Sequence, residues 1–268
     1  MNITIKNKID GPLLSDMVTD ELILGDAEVH NGVTYHYDIA QNTPEWDDIR
    51  KGKVTASPAK SLLTSAYTLK GKPRAGSVGS LGAGAVTYAN KIAKQRYCAT
   101  AGDTDFRHYS EDMQRGHETE NDAARLFETI TGLKTTEVGF LSMPFDNATI
   151  GCSPDRIILD DNGIICAGLE MKSANSDIQF SRIMSPQELE KEHFAQVQFQ
   201  MFISGANKWY ISSYNDSYTE LKDKLVIREV LRDEKVMKEF NTKLCDLEAY
   251  VDDIIFDLNV RRNVEQIW

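Results

Sequence analysis

The chain has 268 residues, a formal net charge of −11, 41% hydrophobic residues and 26% charged ones. That suffices for one large domain, or a core with a smaller addition, with the composition of an ordinary soluble protein. The acidic balance excludes a basic nucleic-acid coat protein, and without an apolar run of about 18 residues no membrane span is expected.

An acidic total still admits a DNA enzyme that confines its positive charge to a groove and repels DNA elsewhere. The start, MNITIKNKIDGPLL, lacks the apolar core of a signal peptide, so a cytoplasmic location is expected. Cys98, Cys152, Cys166 and Cys245 form no Cys-x-x-Cys pair and the histidines complete no zinc pattern, so the cysteines read as reduced and structural.

Residues 1–42 read as an N-terminal extension with hints of short strands and no assigned role. Thr43 followed by Pro44 predicts a capped helix start with proline at its first position, and Ser57-Pro58 repeats the signal before Ala59–Leu63. The glycine-rich stretch 71–84 reads as a flexible loop. No Gly-Lys-Ser/Thr follows its glycines, so it is not a phosphate-binding P-loop. Helices are expected over Ala85–Tyr97 and Glu111–Thr131, with a polar loop at Asp103–Tyr109 between them. The period then changes, and Val138–Leu141, Thr149–Leu159 and Ile164–Lys172 read as strands. Ser185-Pro186-Gln187-Glu188 has the form of a capping box opening a helix to about Ile203, stopped by Gly205. Trp209–Tyr214 and Leu225–Leu231 are β-type. Asp233 is expected to cap a long helix carrying apolar Val236, Phe240, Leu244, Leu247, Val251, Ile254 and Ile255. This order predicts an α/β (α+β) domain with a central mixed sheet flanked by helices.

The stretch from Gly151 to Lys172 carries the chemistry. Asn162-Gly163 is a strong type I′ hairpin signal. A two-residue loop makes Asp161 face Ile164, which places Asp155 opposite Glu170 and Ser153 opposite Lys172 on one sheet face. Leu169 and Met171 then point into the core. Facing carboxylates destabilise a sheet, and a hard divalent cation compensates. Pro154 is a place where the pairing can break. Glu120 shares a helix face with Ala123, Ala124 and Phe127, where a carboxylate needs a partner or a metal; Glu118 and Asp122 read as solvated. Such a set suits metal-assisted phosphodiester hydrolysis, with Lys172 orienting or deprotonating water or neutralising charge. From spacing alone, a surface hairpin with cross-strand salt bridges fits equally.

Several ordered segments add to this. They are Trp46 through Ser57 with Arg50, Gly52 and Thr55; Gly116, Glu120-Asn121-Asp122-Ala123 and Leu126-Phe127-Glu128; Cys152-Ser153-Pro154-Asp155; Gly168-Leu169-Glu170-Met171-Lys172; Ala195-Gln196-Val197-Gln198; Trp209-Tyr210; and Arg232-Asp233-Glu234-Lys235. Together they resemble the phage lambda exonuclease family, the YqaJ-type viral recombinase nucleases of the PD-(D/E)xK superfamily, from about residue 43 to about 260. The resemblance implies a single restriction-endonuclease-like domain over 43–268. It implies Asp155, Glu170 and the Met171 carbonyl as metal ligands, Glu120 helping to hold a second metal, and Lys172 as the catalytic lysine. Arg50, Ser57, Ser153 and Gln196 match a pocket for the 5′-phosphate of a DNA end. The implied activity is Mg²⁺-dependent, with one or two ions and Mn²⁺ as a substitute: 5′→3′ digestion of double-stranded DNA ends, leaving 3′ single-stranded tails for annealing-type recombination. A ring-shaped homo-oligomer, with a trimer favoured, and a single-strand annealing protein are the implied partners, in the cytosol of a bacterium or of a phage's bacterial host. The alternatives are a restriction-type or structure-specific endonuclease on the same core and a catalytically inactive DNA-end-binding protein. Arg156 stands where the family usually has glycine, and is expected to shift the hairpin or touch DNA. Met171 replaces the usual aliphatic residue.

Overall fold

In a computed structural model, residues 27–98, 111–186 and 189–265 are described. The polar loop expected at Asp103–Tyr109, residues 1–26, the side chain of Glu118, and Gln187 and Glu188 lie outside the described residues or side chains.

The fold is the expected mixed α/β architecture of sheet flanked by helices, with the strands in two sheets. The first has strand order β1-β2-β4-β5-β3, from β1 (Ala27–His30), β2 (Val33–His36), β3 (Val54–Thr55), β4 (Phe140–Phe145) and β5 (Ala148–Cys152). The second, mixed sheet has order β6-β7-β8-β9, from β6 (Arg156–Leu159), β7 (Ile165–Ser173), β8 (Lys208–Tyr214) and β9 (Leu225–Leu231). β1 pairs with β2 and β2 with β4, which places residues 27–36 in the first sheet. The strand expected over Thr149–Leu159 is broken at Ser153-Pro154-Asp155, where the chain leaves one sheet for the other. Pro154 has no N–H for a ladder bond, which makes this a natural exit.

The helices are α1 (Pro44–Arg50), α2 (Ala83–Tyr97), α3 (Glu111–Thr131), α4 (Ser176–Met184), α5 (Lys191–Ser204), α6 (Leu221–Lys224) and α7 (Glu234–Glu265). The Thr43 side chain caps α1, and Asp233 accepts from the N–H groups of Lys235 and Val236 at the head of α7. The Ser57-Pro58 signal yields only a single 3₁₀ turn, Ala59–Ser61. Ser185 does not open a helix: it closes α4, its N–H bonding the Ser181 carbonyl, and Pro186 follows a helix end as proline often does. α5 begins instead at Lys191. The glycine-rich stretch is anchored to α7, with Ser80 hydrogen-bonded to Asp246 and its carbonyl to Lys243.

The second sheet is sandwiched. Ala167, Leu169 and Tyr210 pack with Ala123 and Phe127 of α3 on one face. Val197 and Phe199 of α5, Phe240 and Leu244 of α7 and Trp209 build the larger core on the other. Gly168 is required by that packing, since a Cβ there would stand 2.0 Å from the Trp209 ring.

The β6–β7 hairpin differs from the two-residue turn expected. Asp160 faces Ile164, so the loop has three residues, with Gly163 left-handed at φ 77°. The Asp160 carboxylate accepts from the N–H groups of Asn162 and Ile164, which favours the longer loop. A bulge follows: Leu159 pairs with Ile165 but Ile158 with Ala167, leaving Cys166 as the extra residue. The two one-residue shifts cancel. Arg156 therefore pairs with Leu169, and Asp155 comes to the end of the hairpin beside Glu170.

Candidate active site

The crossing between the two sheets holds Ser153 and Asp155 at the sheet ends, and its backbone is pinned from outside. The Gln41 amide donates to the carbonyls of Val138 and Pro154 at 3.1 and 2.9 Å. The Trp46 indole N–H reaches the Gly139 carbonyl and, at 2.8 Å, the Ser153 hydroxyl oxygen. The Arg50 guanidinium stacks 3.9 Å over the Trp46 ring, a geometry that suits a planar cation. Because β3 runs parallel to β5, with Thr55 beside Gly151, Ala56 and Ser57 arrive next to Ser153.

Glu170 is almost wholly buried, and three donors hold it. Oε1 accepts from Lys172 Nζ and Gln196 Nε2, each at 2.6 Å, and Oε2 from Gln200 Nε2 at 2.8 Å. Gln196 and Gln200 lie one turn apart on α5, so one helix face grips one carboxylate. Gln198 points elsewhere, to the Leu231 carbonyl and the Asp233 N–H. Asp155 Oδ2 accepts from the Met171 N–H at 2.5 Å. A strand residue's N–H and C=O project to the same edge, so the Met171 carbonyl lies on the Asp155 side of β7.

Burial pushes the Asp155 carboxyl well above the usual range, and the Glu170 charge adds to the rise. Burial pulls the Lys172 ammonium the other way, but the charges of Glu170 and Asp155 outweigh it and hold Lys172 above its ordinary value. Lys172 therefore stands in this structure as a firm ammonium donor.

One cavity of about 300 Å³ gathers Arg50, Ser57, Ser153, Asp155, Glu170, Lys172 and Gln196. Trp46 and Thr55 of the first matched segment line it too, as do Gln41, Glu192 and His193, which were not singled out from the sequence. For Glu192 and His193 the residues themselves give no signal. Gln200 had one: its spacing of four from Gln196. Burial and the Lys172 charge lower the His193 imidazole, keeping it neutral at the cavity wall.

Glu120 does not line this cavity. It lies in a neighbouring one of about 370 Å³, with Asp38, Glu137, Asp155 and Arg156. Arg156, buried on the α3 side, binds Glu120 at 3.0 Å, Asn121 at 2.7 Å and Glu137 at 2.9 Å. It also donates to the Asp155 carbonyl at 2.7 Å, and Asp155 still comes to lie beside Glu170.

Among the described residues, no three His, Cys, Asp or Glu side chains come together to hold a metal. The donor set that is present, two mutually repelling carboxylates and a main-chain carbonyl, suits Mg²⁺. That ion takes one or two carboxylates and fills its octahedron with water and phosphate oxygen. The asymmetry of the cavity fits an anionic substrate: carboxylates and Lys172 at one end, Arg50 with two hydroxyls at the other. Ser153 accepts from Trp46 and so keeps its own proton to donate.

No helix among the described residues is long and apolar enough to cross a membrane. No curated protein matches the chain. Among solved structures, an alkaline exonuclease from Laribacter hongkongensis matches with 25% identity and a TM-score of 0.66, over 84% of this chain and 100% of that one. The same enzyme in complex with dAMP matches with 25% identity and a TM-score of 0.64, over the same shares. A phage-related exonuclease from Haemophilus somnus 129PT shares the fold, at 14% identity and a TM-score of 0.53, over 79% of this chain and 99% of that one. The YqaJ-like viral recombinase domain matches residues 45–207, more than half of the chain, from within α1 to just past the end of α5. The chain belongs to the YqaJ-like viral recombinase family, nucleases of the phage lambda exonuclease type on a restriction-endonuclease-like fold.

Proposed function

We propose that the protein is a divalent-metal-dependent 5′→3′ exonuclease acting on double-stranded DNA ends, leaving 3′ single-stranded tails for annealing-type recombination. The observation that carries this reading is the shared cavity, in which an Arg50–Ser57–Ser153 anion pocket opens directly onto Asp155, Glu170 and Lys172. A terminal phosphate in that pocket would present the next phosphodiester to the carboxylates. The dAMP complex of the Laribacter enzyme supports such a placement, because a nucleoside monophosphate is what stepwise removal from an end releases.

In this reading Asp155, Glu170 and the Met171 carbonyl hold Mg²⁺. The ion would supply polarisation of the scissile phosphate and activation of water. Gln196 and Gln200 fix the Glu170 carboxylate. Lys172 donates to the developing negative charge as an ammonium. Arg50, fixed by its stack on Trp46, grips the end phosphate with Ser57 and Ser153. A ring-shaped oligomer, a trimer by preference, a single-strand annealing partner and a cytoplasmic location belong to the same proposal. A ring also accommodates the acidic total, because an exterior that repels DNA leaves the substrate to a lined channel.

The test is digestion of end-labelled linear and closed-circular duplexes with and without Mg²⁺. Loss of label from linear DNA only, and only with the metal, is expected; cutting of the circle would make the protein an endonuclease, and no cutting at all an inactive end-binder. Arg50→Ala is expected to slow digestion of 5′-phosphorylated ends about tenfold to a hundredfold, the worth of one charge-assisted contact, and to leave 5′-hydroxyl ends unaffected. Equal wild-type rates on both ends would remove the phosphate pocket.

A further inference from the structure

The resemblance gives Glu120 a share in a second metal ion, but the arrangement around Arg156 points elsewhere. Side chains alternate between the faces of a strand. Arg156 pairs with Leu169, whose side chain packs against α3, so the guanidinium lies on the α3 face, opposite the one that Glu170 presents to α5. There it is nearly fully enclosed, at 8% side-chain exposure. Nη1 binds Glu120 Oε1 at 3.0 Å and the Asp155 carbonyl at 2.7 Å; Nη2 binds Asn121 Oδ1 at 2.7 Å and Glu137 Oε1 at 2.9 Å.

A metal ion bound at Glu120 Oε1, at roughly 2.1 Å, would stand at most about 5 Å from Arg156 Nη1. A dication and a guanidinium would then stand side by side in the cavity that Glu120 and Arg156 line. Arg156 cannot lose its proton, and its other contacts hold it in place.

We infer that this chain holds a single divalent cation per site, on Asp155, Glu170 and the Met171 carbonyl, and that the Arg156 guanidinium takes Glu120 as its partner and supplies the charge of a second ion. Glu120 is then a positioning residue: it anchors the guanidinium beside the Asp155 carbonyl. This rests on the metal-dependent nuclease reading above.

Counting bound Mn²⁺ by the electron paramagnetic resonance of the free ion tests it, with no reliance on activity. The count is made on the full chain alone and on Lys172→Ala chain loaded with a 5′-phosphorylated duplex. One Mn²⁺ per chain is expected in both, and Glu120→Gln is expected to keep that one with a Kd within about threefold. Arg156→Gly is expected to raise the DNA-loaded count to two. Two Mn²⁺ in the wild-type protein, one of them lost in Glu120→Gln, would overturn the inference while leaving the nuclease reading standing. A count of one in folded Arg156→Gly would show that the guanidinium is not what excludes the second ion, and would overturn that half. No Mn²⁺ bound in either state would overturn the metal-dependent reading itself. If Arg156→Gly fails to fold, the wild-type and Glu120→Gln counts still decide.

Discussion

Replacing Lys172 by alanine is expected to slow cleavage of 5′-phosphorylated duplex about a thousandfold or more, while Mn²⁺ binding and the melting temperature change little. The reason lies in how the site is built. Lys172 Nζ is 2.6 Å from Glu170 Oε1, held as an ammonium by Glu170 and Asp155 against its own burial. Its charge therefore points to where a phosphodiester would gain negative charge. A preorganised donor at such a place contributes about a hundredfold to a thousandfold, and proton transfer or water orientation adds to that. A thousandfold corresponds to roughly 4 kcal/mol of the barrier. Glu170 does not lose its place without Lys172, because Gln196 and Gln200 still donate to its two oxygens. Lys172→Arg is expected to recover little: a planar fork does not fit where a compact ammonium donates to Glu170 and Gln196. Unchanged rates in Lys172→Ala would remove the lysine from the mechanism.

Long periodic elements were legible in the sequence because one face of each must be apolar. α3, β9 and α7 fall close to where periodicity puts them, and the caps at Thr43 and Asp233 are local chemistry that any helix start needs. Ambiguity arose where two signals share one grammar. Ser185-Pro186 reads as a helix start, but a proline also follows helix ends, and the unforeseen α4 supplied the end. The hairpin shows a subtler case. The two-residue turn was wrong, yet Asp155 and Glu170 meet, because the longer loop and the Cys166 bulge shift the register in opposite directions. A bulge leaves no mark that alternation alone can show.

The site was legible where residues adjoin in sequence or share a helix face. Asp155, Glu170 and Lys172 follow from the hairpin; Glu120 follows from its apolar stripe, which correctly demanded a partner. The partner itself, Arg156, was visible as an oddity beside Asp155, but only the pairing of β6 with β7 turns it toward α3. Arg50, Ser57, Ser153 and Gln196 came from the family resemblance, and they share a cavity because β3 runs beside β5 and α5 lies across β7. Glu192 and His193 reach that cavity through the packing angle of α5, which no local pattern encodes.

Asp155→Asn is expected to abolish cleavage and, without metal, to raise the melting temperature. The folded protein holds the Asp155 carboxyl well above its unfolded value, first through burial and then through Glu170. The native state therefore binds this proton more tightly than the unfolded chain does. Above the unfolded value the group opposes folding, increasingly as pH rises toward the folded value, and the effect vanishes on acidification below the unfolded value. The asparagine carries no charge, and its carbonyl can still accept from the Met171 N–H. At pH 8 the variant should be more stable by about 1–2 kcal/mol, within the usual range for one substitution, or a few degrees for a chain of this size. The advantage should shrink as pH falls. Divalent metal should reverse the order. At about a hundred times its Kd a ligand stabilises by roughly 2.7 kcal/mol, or about 5–10 °C, and only the wild-type protein retains both carboxylates to bind it. Thermal melts of both proteins across pH, with and without Mg²⁺, measure this directly. A variant that is less stable than wild type without metal, or that keeps the full metal-induced shift, would show that Asp155 is not the buried charge on which the site is built.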